Sequence, residues 1–280
     1  MAVIKLSDFG IIFEAFLKEA MFTKEMLGLG ATQIRKANYA SKGLYYEAFT
    51  CLSTGFERIG KLCLILDYYL NHDGMLPDFN YMKKEIGHDL VKLYIKSSDV
   101  AQTQHTNFHF LKNLDADIYQ RILKILSDFA LGDRYSNINI LSQSRQQNDP
   151  VSNWYTNIDE FIFESYVSET KKLKIVANAK IINEMMKDIA VVRHISETGK
   201  SITDIEFASR QTGMQEAVAP YRQFFILQMI RYWVELIEDL GFKAQNMNSE
   251  KMEIPYFSEI FGGFFNEDSY LKSRKVWDTI

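Results

Sequence analysis

Cysteine is scarce in this chain: Cys51 and Cys63 are the only two in 280 residues. Two thiols cannot build a disulfide framework. Both fall in one apolar-periodic stretch, where they act as small core side chains. No cysteine pairs stand at metal spacing, and the sequence names no metal and no cofactor. Four prolines and 14 glycines are too few for a collagen-like, elastic or Pro-rich disordered chain. Neither sign of charge dominates. With 32 basic and 36 acidic residues the net charge is -4, which excludes a global basic coat for nucleic acid but leaves room for a local patch. Long apolar runs are missing too. Lys61, Asp67, Arg231 and Glu235 interrupt the most apolar stretches before the roughly 20 residues that span a bilayer. Asp8, Glu14 and Lys18 break up the N-terminal segment as a secretory signal, and the expected location is the cytoplasm, away from membranes. A Walker-type loop and a dinucleotide fingerprint are also absent. Gly28-Leu29-Gly30 lacks the third glycine and a preceding strand, and reads as a helix break.

What is present is helical periodicity. Tyr45, Ala48, Leu52, Phe56, Ile59, Cys63, Leu66 and Leu70 recur at steps of three and four, the mark of one apolar helix face. The spacing predicts a helix from Ala31 to Asn71, about 60 Å long at 1.5 Å per residue. Gly43, Gly55 and Gly60 inside it either kink it or admit a close neighbour, and His72-Asp73-Gly74 closes it. A helix from Asp8 to Leu27, capped by Asp8 or Ser7, precedes it. Asp78 opens a short helix ending near Gly87, His88 to Ser98 starts another, and Asp115 to Leu131 forms a further one. Asn139 to Thr156 is rich in Ser, Gln and Asn and reads as a connecting loop. Asn157 to Ser196 reads as one long helix whose apolar face includes Ile158, Ile162, Ile182, Met185 and Ile189, with Arg193 and His194 complementing its negative end and Gly199 beyond it. Pro220 fits the first turn of a helix running to Leu240, ended by Gly241. From Met252 onward the tail carries Tyr256, Phe257, Phe261, Phe264, Phe265 and Trp277, too many rings to stand in solvent, so it docks back on the helices.

Period-two runs are almost missing, so the fold class is all-α, an up-and-down helical bundle with additional C-terminal helices. Residues 1–150 form the bundle and 151–280 a C-terminal helical region packed with it as one unit.

Chemistry is sparser. His105 and His109 share a face if they lie on a helix, but Thr106, Asn107 and Phe108 between them supply no glutamate for a zinc-protease motif. Two local segments stand out. In Gly87-His88-Asp89-Leu90, His88 and Asp89 sit at the mouth of a helix, where free N–H groups and partial positive charge receive an anion or where Asp89 serves as a cap. In Asp133-Arg134-Tyr135-Ser136-Asn137, Arg134 offers a fork for phosphate beside hydroxyls and an amide, or else pairs with Asp89 or Glu57.

Taken in order, these segments resemble the HEPN superfamily, a family of helical up-and-down bundles. The likeness spans about residues 30 to 140: a long helix with Glu57 and Lys61, a short connection, Gly87-His88-Asp89-Leu90, and Arg134-Tyr135 after a later helix. The tail from Pro255-Tyr256-Phe257 through Asn266-Glu267-Asp268 to Arg274-Lys275-Val276-Trp277 is similar to that of a group of bacterial proteins with the same front half, and that likeness brings no activity with it. Many members of the superfamily are metal-independent ribonucleases with an Arg, a polar residue and a His several positions on. Here Asn139 stands where the family places that His, and an amide cannot act as a general base. The resemblance therefore implies a non-catalytic protein that binds RNA, a nucleotide or a partner protein, in a toxin–antitoxin or phage-defence setting. Its binding residues are Arg134, Tyr135, Asn137, Asn139, His88, Asp89 and Glu57. A divergent endoribonuclease with His88 as base and Arg134 on the scissile phosphate is the enzymatic alternative. A purely structural homodimer held by Phe161, Phe163 and Tyr166 is the third.

Overall fold

The computed structural model describes residues 10–78, 80–81, 87–144, 148–247 and 254–279. Among the described residues the chain is all-α apart from one two-stranded hairpin. Helix α1 is Ile11–Lys36, α2 Gly43–Asn71, α3 Leu90–Thr103 and α4 Asp117–Leu131. Short helices α5 (Ser136–Leu141) and α6 (Pro150–Trp154) follow, then a π-turn at Tyr155–Asp159, α7 (Glu160–Tyr166) and α8 (Glu169–Met186). Strands β1 (His194–Ile195) and β2 (Ser201–Ile202) pair antiparallel, with Ile195 opposite Ser201. The 43-residue α9 (Ile205–Met247), about 65 Å long, leads to α10 (Phe257–Phe261) and α11 (Asp268–Ser273).

The expected 31–71 helix is two helices. Asn38 is the reason: its side-chain oxygen accepts the Ala40 and Ser41 N–H groups at 2.9 and 3.2 Å and draws the backbone out of the helix into a 3-10 turn. The Gly28-Leu29-Gly30 break does not occur, since both glycines lie inside α1. A Cβ on Gly28 would stand 2.2 Å from the Trp277 carbonyl oxygen, so the missing side chain is what lets the tail lie against the helix. Gly55 and Gly60 are also close approaches, to Leu27 and Leu93. Gly74, at φ +79°, closes α2 as expected.

Pairings fix the helix directions. Leu27 meets Gly55 and Gly30 meets Leu52, so α1 and α2 are antiparallel. Glu57 meets His88 and Asp67 meets Gln104, so α2 and α3 run the same way; the expected alternation is broken at that crossing. It resumes at α4, where Ser127 meets Leu90 and Asp115 meets Tyr94. The second half of α9 runs alongside α2 and α3, with Trp233 against Phe56 and Lys243 on the Gln104 carbonyl. One apolar core joins all of these helices and the tail.

Three other boundaries differ from expectation. The 139–156 segment contains the ends of α5 and α6 instead of loop alone. The 157–196 helix is interrupted at Val167 and Ser168, where Ser168 caps α8 by accepting the Lys171 N–H, and it ends at Met186. Ile182, Met185 and Ile189, expected in its buried face, are exposed. His194 accordingly lies in β1, edge-on to Tyr39 at 5.4 Å, and not at a helix end. Pro220 sits inside α9, whose packing on both sides carries the helix through it, and Gly241 does not end α9 but seats the Phe257 ring. The tail docks as expected: Phe257, Phe261, Phe264, Leu271 and Trp277 are buried, and Thr32 Oγ1 accepts the Trp277 N–H at 2.8 Å. The Ser7 and Asp8 caps and most of the expected 78–87 helix lie outside the described residues, although Asp78 does accept the Tyr81 N–H at 2.7 Å.

Candidate functional site

The candidate residues fall into two groups on α2. The first gathers around Glu57. Its half-buried carboxylate accepts Lys61 Nζ at 2.5 Å and faces His88 Nδ1 at 2.9 and 3.0 Å. A carboxylate only accepts, so Nδ1 carries the hydrogen and Nε2 is left on a ring whose side chain is 67% exposed. Burial alone would raise the Glu57 carboxyl, but the hydrogen bonds and charges of Lys61 and His88 outweigh it and hold the group below the usual range. This contribution to stability is therefore present at neutral pH and is lost only as the pH falls through that depressed value.

Asp89 is committed to structure. It caps α3 by accepting the Val91 and Lys92 N–H groups at 3.0 and 3.1 Å, and it accepts Ser127 Oγ at 3.2 Å, while Ser127 Oγ accepts the Leu90 N–H. These bonds lock the mouth of α3 to the last turn of α4.

The second group follows α4. Arg134 and Tyr135 lie in a 3-10 turn at Asp133–Tyr135. The Arg134 guanidinium rests 5.2 Å over the Tyr135 ring, and Tyr135 is 55% exposed. Neither Asp89 nor Glu57 pairs with Arg134, and among the described residues it has no ion-pair partner. Tyr46 on α2 anchors the turn: its hydroxyl meets Ser136 Oγ at 3.3 Å and accepts Asn137 Nδ2 at 3.2 Å. Asn139 lies one turn further along α5, where its carbonyl accepts the Ser144 N–H. Tyr46 and Glu57 are eleven residues apart, about 16 Å along α2 and within about 20° of the same face. The two groups are thus neighbouring spots on one face of α2.

The other candidates are used inside the chain. His105 stands at φ +55° in the turn after α3, so His105 and His109 are not on a common helix, and the His109 ring packs on Phe110 and Phe265. Among the described residues no three metal-ligating side chains cluster, and no helix is long and apolar enough to cross a membrane. Phe161 lies under Arg121 and Phe163 under Lys172, both half-buried, while Tyr166 packs against Phe225 at 5.0 Å and stays exposed.

Sequence reasoning missed the most enclosed polar cluster. Arg222 and Asp159 are fully buried and paired through two bonds, Nε to Oδ1 at 2.6 Å and Nη2 to Oδ2 at 2.7 Å. Trp154 Nε1 and the Tyr45 hydroxyl donate to the same carboxylate at 3.1 and 3.4 Å. Arg222 also donates to the Ala37 carbonyl at 2.8 Å, to the Ile34 carbonyl at 3.4 Å and to Gln215 Oε1. It thereby closes the open end of α1. Burial raises the Asp159 carboxyl to about 6 against the pull of Arg222. The available signal was an arginine and two glutamines amid the apolar face of α9, at Gln215, Arg222 and Gln223.

No family model matches the chain, and no curated protein and no solved structure matches it.

Proposed function

We propose that this chain is a non-catalytic, HEPN-like helical protein that binds RNA or a nucleotide through the Arg134–Tyr135 turn, in a toxin–antitoxin or phage-defence setting. The observation that carries the proposal is an exposed guanidinium stacked on an exposed tyrosine, without an acid partner among the described residues, at the open end of α4. An arginine fork takes phosphate oxygens, and the tyrosine ring offers a platform for a base. Asn139, in place of a histidine, supports binding without cleavage.

A second reading has its own observation. Glu57 orients His88 as a carboxylate orients a catalytic imidazole, with Nε2 on the exposed side. That arrangement favours a divergent metal-independent endoribonuclease. Incubating end-labelled single-stranded RNA with the protein in chelator separates the two. Retarded but intact RNA supports the binding reading. Fragments with cyclic phosphate ends that disappear in His88→Ala support the enzymatic one. No retention and no cleavage removes both.

A further inference from the structure

Helix α8 is the least buried of the long helices: of its 18 residues only Ile175 and Ala179 are buried, both toward α9. The outward side is apolar nonetheless. Leu173, Ala177, Ile181 and Met185 follow at four-residue steps, and Ile189 continues them in the turn that closes on the Met186 carbonyl. Leu173 is 69%, Ile181 57% and Met185 70% exposed. Isolated apolar side chains on a surface are ordinary, but a continuous stripe on one helix marks a surface that another molecule covers.

The charges beside the stripe identify the occupant. Lys174 and Ile181 are seven residues apart and so nearly in line along α8, Lys174 toward its start, and Asp188 follows a further seven residues on, in the turn just beyond the helix end at Met186. Two copies laid antiparallel across a two-fold axis at Ile181 bring Lys174 opposite Asp188 of the second copy. The same operation sets Ala177 opposite Met185, small against large, and Ile181 against itself. A parallel arrangement would set lysine on lysine and aspartate on aspartate. A two-fold interface must be self-complementary, and this face satisfies that condition in both charge and size. We infer that α8 is a homodimer interface, antiparallel and centred on Ile181. The inference does not depend on the RNA-binding reading, and it moves the expected dimer contact from Phe161, Phe163 and Tyr166 to a different helix.

Sedimentation equilibrium on the full chain tests it. The wild type is expected to be a dimer, and Ile181→Lys a monomer with dissociation constant raised at least about 100-fold. Position 181 is exposed, so circular dichroism is expected to stay unchanged, which confirms that the variant is folded. Lys174→Glu alone is expected to weaken the dimer, and Lys174→Glu combined with Asp188→Lys to restore it, because the swapped charges still meet across the axis. Oxidised Ile181→Cys is expected to form a covalent dimer. A wild type that stays monomeric to about 100 µM, an Ile181→Lys that still dimerises, a charge swap without rescue, or a monomer that instead binds anionic vesicles through this helix would each overturn the inference.

Discussion

Two arginines in this molecule do opposite things. Arg222 is sealed against Asp159, with carbonyls and an amide around it. Arg134 lies on the surface over Tyr135 without an acid partner among the described residues. The first arginine joins the end of α1, the π-turn and α9, and removing it would leave the buried Asp159 carboxylate without its counter-charge. The second joins nothing that the fold needs. The contrast teaches that the fully buried ion pair belongs to the architecture, and that the arginine proposed to take a ligand is one without an acid partner among the described residues.

The sharpest way to break this contrast is at the core. Arg222→Met is expected to cost about 3–5 kcal/mol and to lower the melting temperature by roughly 10 °C, while Arg222→Met with Asp159→Leu recovers most of the loss. Thermal unfolding of both variants checks it; a double variant no better than the single one would mean that the pair is not the source of the cost. Next is the tail. Gly28→Val places side-chain atoms where the Trp277 carbonyl lies, and is expected to cost roughly 1–3 kcal/mol, read as a lower denaturant midpoint and faster proteolysis beyond residue 254.

A smaller effect depends on pH. Burial, with a further push from Glu235, raises the Glu238 carboxyl to about 7, and its Oε1 has no hydrogen-bond partner among the described residues. A raised carboxyl favours the neutral form in the folded state. Its contribution is full below its ordinary range near 4.5 and is lost as the pH rises through about 7. Glu238→Gln, permanently neutral, is therefore expected to be more stable than wild type by roughly 1–2 kcal/mol at pH 8 and by nothing at pH 4, as denaturant titrations at the two pH values will show.

Much of the fold was legible. Tyr45, Ala48, Leu52, Phe56, Ile59, Cys63 and Leu66 share a helix face by spacing alone, and all are buried. Asp89 announces itself as a cap because it precedes an apolar run, and the ring-rich tail had to find cover. The breaks at Asn38 and Ser168 were not legible, because a short polar residue inside a periodic stretch looks like a solvent-facing helix position until its side chain is seen bonded to the backbone. The direction of the apolar residues of α8 was not legible either. Periodicity shows that Ile182 and Met185 are apolar, and it is silent on whether α9 or solvent lies beyond them. Of the candidate site, the meeting of Glu57 with His88 could not be read, since the crossing that sets α2 and α3 side by side lies 31 residues of sequence away from local pattern.

The smallest expected change in stability accompanies the most informative measurement. Arg134→Ala is expected to alter folding by less than about 0.5 kcal/mol, because the side chain is exposed and stacks on the exposed Tyr135. Titrating fluorescent single-stranded RNA against wild type and Arg134→Ala at one low salt concentration, with melting curves alongside, isolates its role. Binding about 10-fold weaker at an unchanged melting temperature is the predicted result. Equal binding by the two proteins, or no binding by the wild type, would contradict the assignment of the Arg134–Tyr135 turn to nucleic acid.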